Sequence, residues 1–188
     1  MWIRAAALVL AAWIWGCGSA ASGPEAAFDR LHLAMATRDA RVLFDVLETE
    51  SRWAVDTVWK YQRELAALLV KDFPAHISER ELKRLKVAVD SASSREFFAA
   101  QNMLGDPLAE LGHNAEGLGT RARVERDSPE AKKARVITTT GRVVPVACGP
   151  DGMWGYSGLH DDLLRWREAT ANDLSRFKQE ADLFSRGK

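Results

Sequence analysis

Hydrophobic positions in the first half of the chain recur every three or four residues, which is the period of an amphipathic helix. The first such stripe contains Phe28, Leu31 and Met35, and it follows Pro24, a residue that suits the first turn of a helix. Similar stripes predict four more helices, at residues 40–47, 51–71, 79–89 and 94–103, and a short helical turn at 106–112.

Polar residues mark where three of these helices should begin. Asp39 is a suitable N-cap for the second helix. Ser78 with Glu81, and Ser93 with Glu96, have the spacing of a capping box. We therefore expect the fourth helix to begin just after Ser78 and the fifth just after Ser93.

Beyond residue 119 the pattern changes to an alternation of apolar and polar residues, which is typical of strands. Turn-forming residues near 127–129, 140–141 and 149–152 separate the alternating segments. Pro145 cannot donate a ladder hydrogen bond, so we expect it at an edge position or a bulge. The segments predict an antiparallel meander of three or four strands, and their inward positions are Ala122 and Val124, Ala134, Val136 and Thr138, Val144, Val146 and Cys148, and Trp154 and Tyr156.

The helical period returns at Leu159 and continues to about Ser185, which predicts a final helix about 40 Å long. Helices followed by an antiparallel meander indicate an α+β fold. The expected architecture is a single domain over residues 25–188, with N-terminal helices, a curved antiparallel β-meander and a long C-terminal helix at about 159–186.

A family resemblance accompanies this pattern. The segment Ala27–Leu47, with its break at Arg38-Asp39, resembles the opening of the nuclear transport factor two-like superfamily. The segments Ala134–Thr139, Val143–Cys148 and Gly152-Met153-Trp154-Gly155-Tyr156 resemble strands of its sheet. The resemblance implies a cone-like domain whose sheet wraps an apolar pocket.

The resemblance covers about Pro24 to Ser157 and assigns no site residues, because none of the superfamily's catalytic motifs is preserved. Two features depart from the superfamily. The helical block from Phe73 to Gly112 is longer than usual, and a helix follows strands that commonly end the chain.

The first residues have the layout of an export signal. Arg4 precedes an apolar run from Ala5 to Trp15, and Gly16-Cys17 follows it. As a helix this run is about 16 Å long, whereas a membrane-spanning helix needs about 20 residues. Ile14-Trp15-Gly16-Cys17 resembles the bacterial lipobox, although Trp15 stands where a small or aliphatic residue is usual.

That resemblance implies a signal peptide at 1–16, cleavage after Gly16, and diacylglycerol and a fatty acyl chain such as palmitate on Cys17. Residues 17–24 would then be a lipidated tether about 25 Å long when fully stretched. Gly18 favours the outer membrane over the inner membrane of a bacterial cell envelope. Ordinary cleavage near Ala20-Ala21 and an uncleaved anchor are the alternatives.

Composition narrows the classes of partner. The formal net charge is zero, which argues against nucleic-acid binding. The chain has two cysteines, so lipidation of Cys17 would leave Cys148 without a disulfide partner. A Cys17–Cys148 bridge is the alternative if Cys17 is not acylated. Cys148 itself is either a small core residue or, near cations, a reactive thiol.

His160-Asp161-Asp162 is the densest polar cluster and offers the material of a general base. Acidic residues in the first turn of a helix also offset its dipole, which is the simpler interpretation. His32, His76 and His113 have no second ligand at metal-binding spacing, so no metal site and no cofactor are predicted.

Two further groups of residues are candidates for binding. Trp53, Trp59, Trp154 and Tyr156 would line an aromatic pocket or, more simply, belong to the core. The segment 119–142 carries seven basic and three acidic residues, which predicts contact with lipid headgroups or an acidic partner unless these side chains only face solvent. The candidate residues for that contact are Arg121, Arg123, Arg126, Lys132, Lys133 and Arg135.

The favoured hypothesis is a non-catalytic, lipid-anchored envelope protein that binds a protein or a small apolar ligand near the membrane. One alternative is an assembly or scaffold protein that pairs through the C-terminal helix, using Trp166, Phe177 and Phe184. The other is a small isomerase or hydrolase that uses His160 with a carboxylate facing the same cavity.

Overall fold

Helices and a four-stranded sheet follow one another in the order that the hydrophobic pattern predicts. The computed structural model describes residues 23–102 and 106–186. The α+β class, the N-terminal helices, the antiparallel meander and the long terminal helix are confirmed. The helices are α1 (Pro24–Thr37), α2 (Ala40–Val46), α3 (Thr49–Asp72), α4 (Ala75–Asp90), α5 (Ser94–Ala100), a 3-10 helix (Asp106–Leu111), α6 (Ala115–Leu118) and α7 (His160–Arg186), and the strands are β1 (Arg121–Glu125), β2 (Lys133–Thr138), β3 (Val143–Cys148) and β4 (Trp154–Tyr156).

The sheet is an antiparallel meander in the order β1-β2-β3-β4, and it does not close into a barrel. A single parallel bridge from Leu47 to Tyr156 continues it beyond β4. One face is buried against α1 and forms the main core with Phe28 and Leu31. The buried apolar side chains of the sheet are Ala134, Val136, Val144, Val146 and Tyr156, and the polar side chain of Thr138 is buried as well.

Pro145 lies in β3, which is an interior strand, so the predicted edge position is wrong. The carbonyl of Pro145 accepts a hydrogen bond from the backbone N–H of Ser157, at 3.1 Å. In an antiparallel strand the N and the C=O of one residue point toward the same neighbouring strand. The nitrogen of Pro145 therefore faces β4, as its carbonyl does, at a point beyond the last residue of β4, Tyr156. Proline is tolerated here because no neighbouring strand needs its hydrogen.

The helix starts agree with two of the three capping predictions. The side chains of Asp39 and Ser93 cap α2 and α5. The predicted start at Ser78 is wrong, because α4 begins at Ala75, directly after Pro74. Pro74 ends α3 and sets the new start, so Ser78 lies within the first turns and its hydroxyl donates to the carbonyl of Ala75.

The two longest helices, α3 and α7, run side by side in the same direction. His160 contacts Glu48 at their N-terminal ends, and Lys178 pairs with Glu64 at 2.7 Å further along. This pairing buries Leu174, Phe177 and Ala181 of α7 in a second core with α3 and α4. The apolar stripe that could have paired with a partner helix is therefore mostly used within the chain.

None of the helices in the described part of the chain is both long and apolar enough to cross a membrane. Gly16 and Cys17, on which the predicted lipid anchor depends, lie outside the described residues.

Candidate functional site

A charged groove of about 660 Å³ lies over the β2–β3 ladder. Its walls come from parts of the chain that are far apart in sequence: the start of α3, residues 125–127 at the end of β1, residues 132–135 at the start of β2, residues 145–149 at the end of β3, and Ser157 with the start of α7. Charged residues dominate its lining, and Pro145, Val146 and Ala147 add an apolar part.

Glu48 forms the buried acidic corner of this groove. Its side chain caps α3, because Oε1 accepts hydrogen bonds from the backbone N–H and hydroxyl of Ser51, and Oε2 accepts one from the N–H of Glu50. Burial opposes ionisation of Glu48. The hydrogen bonds from Ser51, His160 and the backbone outweigh that effect and lower the pKa of the carboxyl below its ordinary value. The carboxylate is therefore ionised at neutral pH.

His160 is held against that carboxylate. Its Nδ1 lies 2.8 Å from Oε1 of Glu48. An ionised carboxylate only accepts hydrogen bonds, so Nδ1 carries the hydrogen and donates it. In the neutral ring Nε2 is then left with its lone pair, 4.0 Å from Oε2 of Glu50. The imidazole is bracketed by two carboxylates.

The position of Glu48 depends on close backbone packing against β4. Its N–H donates to the carbonyl of Tyr156, at 3.1 Å. A Cβ atom on Gly155 would lie only 2.4 Å from the backbone nitrogen of Glu48, so only glycine fits there. The start of α3 is thereby fixed at the edge of the sheet.

A second link holds the β3–β4 turn to α3. The hydroxyl of Thr49 donates to Oδ2 of Asp151 at 2.7 Å, and the N–H of Met153 donates to Oδ1. These hydrogen bonds, together with the charge of Arg52, lower the pKa of the Asp151 carboxyl. The turn that follows Cys148 is therefore tied to the helix that carries Glu48 and Glu50.

Four of the six basic residues predicted to contact an anion line the groove: Arg126, Lys132, Lys133 and Arg135. Arg126 lies over the ring of Trp154 and 3.7 Å from Glu25, and Arg135 pairs with Glu125. Lys132 and Lys133 are exposed, and neither has an acidic partner within the described ranges. These two ammonium groups are the available positive charges of the groove.

The remaining two basic residues do not line the groove. Arg121 pairs with Asp29 at 3.8 Å, and Arg123 pairs with Glu125 at 3.0 Å. Both side chains are exposed, which agrees with the alternative that they only face solvent.

The basic and acidic sides of the groove face each other across two strands. Lys133 belongs to β2, whereas Glu48 follows the bridge that continues the sheet beyond β4. Three inter-strand steps separate them, about 14 Å at the usual strand spacing. The lysines therefore lie on one side of the groove only, opposite Glu48 and Glu50. The carboxylates of Glu125 and Asp127 also line the side that carries the lysines.

The predicted polar cluster is brought to the groove in part. His160 and Asp161 line it, whereas Asp162 pairs with Arg165 on the surface of α7. Sequence reasoning missed Glu48 and Glu50. The available signal was a glutamate directly before a helical stripe, with Ser51 three positions further on.

None of the four predicted pocket aromatics lines the groove. Tyr156 belongs to the main core, and Trp59 and Trp154 pack against it. Trp53 is exposed, and Trp59 donates its indole N–H to the carbonyl of Ala88. Trp154 lies beneath Arg126.

Cys148 lines the groove at the end of β3, half-buried and as a free thiol. It lies on the same strand face as Val144 and Val146 but is less buried than either. Its position at the end of the strand accounts for the difference.

Within the described residues, Glu48, Glu50 and His160 are the one set of three potential metal ligands whose ligand atoms all lie within 4.8 Å of one another. His32, His76 and His113 belong to no such set.

Comparisons with protein-family models, with curated proteins and with solved structures found no match to this chain. The resemblances to the lipobox and to the nuclear transport factor two-like superfamily therefore stay predictions from the sequence.

Proposed function

We propose that this chain is a lipid-anchored protein of the bacterial envelope whose folded domain binds a small anionic ligand in the groove. The observation that supports anion binding is that Lys132 and Lys133 line one groove and have no acidic partner among the residues that the structure describes. The anchor half is supported by Ile14-Trp15-Gly16-Cys17 and by the charged and apolar residues before it.

A charged ligand fits this groove better than the small apolar ligand expected from the sequence. Charged side chains line both sides, while Pro145 and Ala147 contribute an apolar strip between them. The volume of about 660 Å³ lies in the range of small-molecule sites, about 300–1,000 Å³. The ligand we favour is therefore a compact anion with carboxylate or phosphate groups.

The test is calorimetric titration of the full chain in mild detergent with citrate, succinate and a sugar phosphate. We expect saturable binding of at least one anion. The double variant Lys132→Glu with Lys133→Glu should weaken it by about 10- to 100-fold, because two attractions become repulsions. Lys83→Glu is the matched control, since Lys83 is exposed on α4 and has no acidic partner in the described part of the chain.

A second set of binding measurements distinguishes a soluble anion from a lipid headgroup. Vesicles with anionic phospholipids are compared with neutral vesicles, using the same variants. Binding to anionic vesicles alone would assign the ligand as a lipid headgroup. No binding in either arm, or equal weakening by Lys83→Glu, would overturn the proposed function.

A small hydrolase or isomerase is the second candidate, and the pairing of His160 with Glu48 favours it. An imidazole oriented by a buried carboxylate, with its other nitrogen free, is the arrangement of a general base. Screening activated esters and small carbonyl compounds tests this candidate. Turnover that His160→Gln removes would support it, whereas equal turnover in that variant would exclude His160 as the base.

A further inference from the structure

The acidic side of the groove holds three side chains whose ligand atoms converge, from Glu48, Glu50 and His160. We propose that it binds a zinc ion through Nε2 of His160 and the carboxylate of Glu50, with Glu48 orienting the imidazole. Zinc binding can be measured without any anion, so this proposal can fail while the proposed anion binding stands, and the reverse.

Glu48 is a positioning residue in this arrangement and not a ligand. Both of its oxygens already accept hydrogen bonds, from Ser51, His160 and the N–H of Glu50. A carboxylate that holds the Nδ1 hydrogen of a metal-binding histidine is a recurrent partner in zinc sites, where it fixes the ring and raises its basicity. The nitrogen left available to a metal is Nε2.

Glu50 lies where the second ligand is needed. Two ligand atoms about 2.1 Å from a tetrahedral zinc are about 3.4 Å apart, and Nε2 of His160 is 4.0 Å from Oε2 of Glu50. The Glu50 side chain is 57% exposed, so a movement of roughly half an ångström needs only a small rotation. Two protein ligands leave two positions for water or for an anion, which makes the site open.

Uncompensated charge at this end of the groove favours a divalent cation. Apart from the approach to His160, Glu50 has no basic partner within the residues that the structure describes, and Asp161 has none there either. Capping α3 requires only Glu48. The mixed nitrogen and oxygen donors select zinc over magnesium or calcium, which prefer oxygen ligands.

The experiment is calorimetric titration of the full chain, freed of metal by a chelator, with zinc chloride near neutral pH. We expect one saturable zinc per chain. His160→Gln and Glu50→Gln should each weaken binding by at least about tenfold, and Glu48→Gln by about 10- to 100-fold. Circular dichroism of each variant checks folding, and His160→Gln keeps the test valid if Glu48→Gln does not fold.

His76→Gln is the control, because His76 is exposed on α4 and belongs to no ligand set in the described ranges. Cys148→Ser should bind zinc as tightly as the unchanged chain, because the thiol of Cys148 is not a proposed ligand. Cobalt in place of zinc adds an absorption spectrum that reports nitrogen coordination and should change in His160→Gln. Absence of saturable binding, unchanged binding in His160→Gln, or magnesium binding as tight as zinc binding would each overturn the proposal.

Discussion

Glu48 and His160 are 112 positions apart in the chain, yet Oε1 of the one and Nδ1 of the other lie 2.8 Å apart. The contact joins the first turns of α3 and α7, so the two parallel helices begin at the same place. The junction places Glu48, Glu50 and His160 next to one another in the groove.

Glu48→Ala should destabilise the protein by about 1–3 kcal/mol, measured by urea unfolding at neutral pH. The change removes the acceptor for two backbone N–H groups and leaves them without their hydrogen bonds in a buried corner. Glu50→Ala is the control and should change the free energy of unfolding by less than about 0.5 kcal/mol, because Glu50 is exposed. Equal effects of the two substitutions would contradict this role for Glu48.

Asp151→Asn should lower stability most near neutral pH, by less than about 1 kcal/mol because the group is exposed. The pKa of Asp151 is lowered in the folded protein, so its stabilising effect is present above the unfolded pKa of about 3.9. That effect is lost as the pH falls through the lower folded pKa. Unfolding curves of both proteins from neutral to acidic pH measure the difference, which should shrink below about pH 4. A difference that grows on acidification would contradict the prediction.

Phe177→Ala should lower the free energy of unfolding by about 3–5 kcal/mol, since Phe177 of α7 is buried in the second core with α3 and α4. Phe184→Ala should cost clearly less, because that side chain is 42% exposed. Deletion of residues 170–188 should accordingly abolish cooperative thermal unfolding. A deletion variant that stays folded but loses self-association would instead support assembly through α7.

Zinc should strengthen binding of the anion by about tenfold, because it neutralises the charges of Glu48 and Glu50 and offers open coordination positions to the anion. By linkage the anion should strengthen zinc binding by the same factor. Titrations of each ligand with and without the other measure both factors. This prediction rests on both proposals. If the affinity for the anion is the same with and without zinc, the two ligands bind independently and the prediction is wrong.

The mature protein isolated from bacterial membranes should carry fatty acyl chains on Cys17 and lack residues 1–16. Intact-mass measurement checks both features, and Cys17→Ser should release the protein from the membrane fraction. An unacylated, full-length chain in the cytosol would contradict the anchor while leaving the fold unaffected.

The elements were predictable because their signals are local. The spacing of Leu163, Leu174 and Phe177 indicated one long helix, and the same residues are buried in α7. The helix start predicted from Ser78 was wrong, because Pro74, whose backbone is fixed, sets the start of α4 earlier in the chain.

The candidate site was predictable only in part. The basic segment 119–142 indicated a charged surface, and Lys132 and Lys133, at the start of β2, line the groove. The partners of His160 were not readable, because Glu48 and Glu50 meet it only through the packing of α7 on α3. A contact between side chains so distant in the chain leaves no spacing to recognise.

Because that contact joins distant parts of the chain, the acidic corner of the groove exists only when folding is complete. Neither a fragment ending before α7 nor one beginning after α3 contains both halves of the acidic corner. A ligand that needs the corner binds the native molecule and not partly folded intermediates. It therefore raises the fraction of native molecules, and the more so the higher its concentration. Occupancy would thus stabilise the chain only after its last helix has docked.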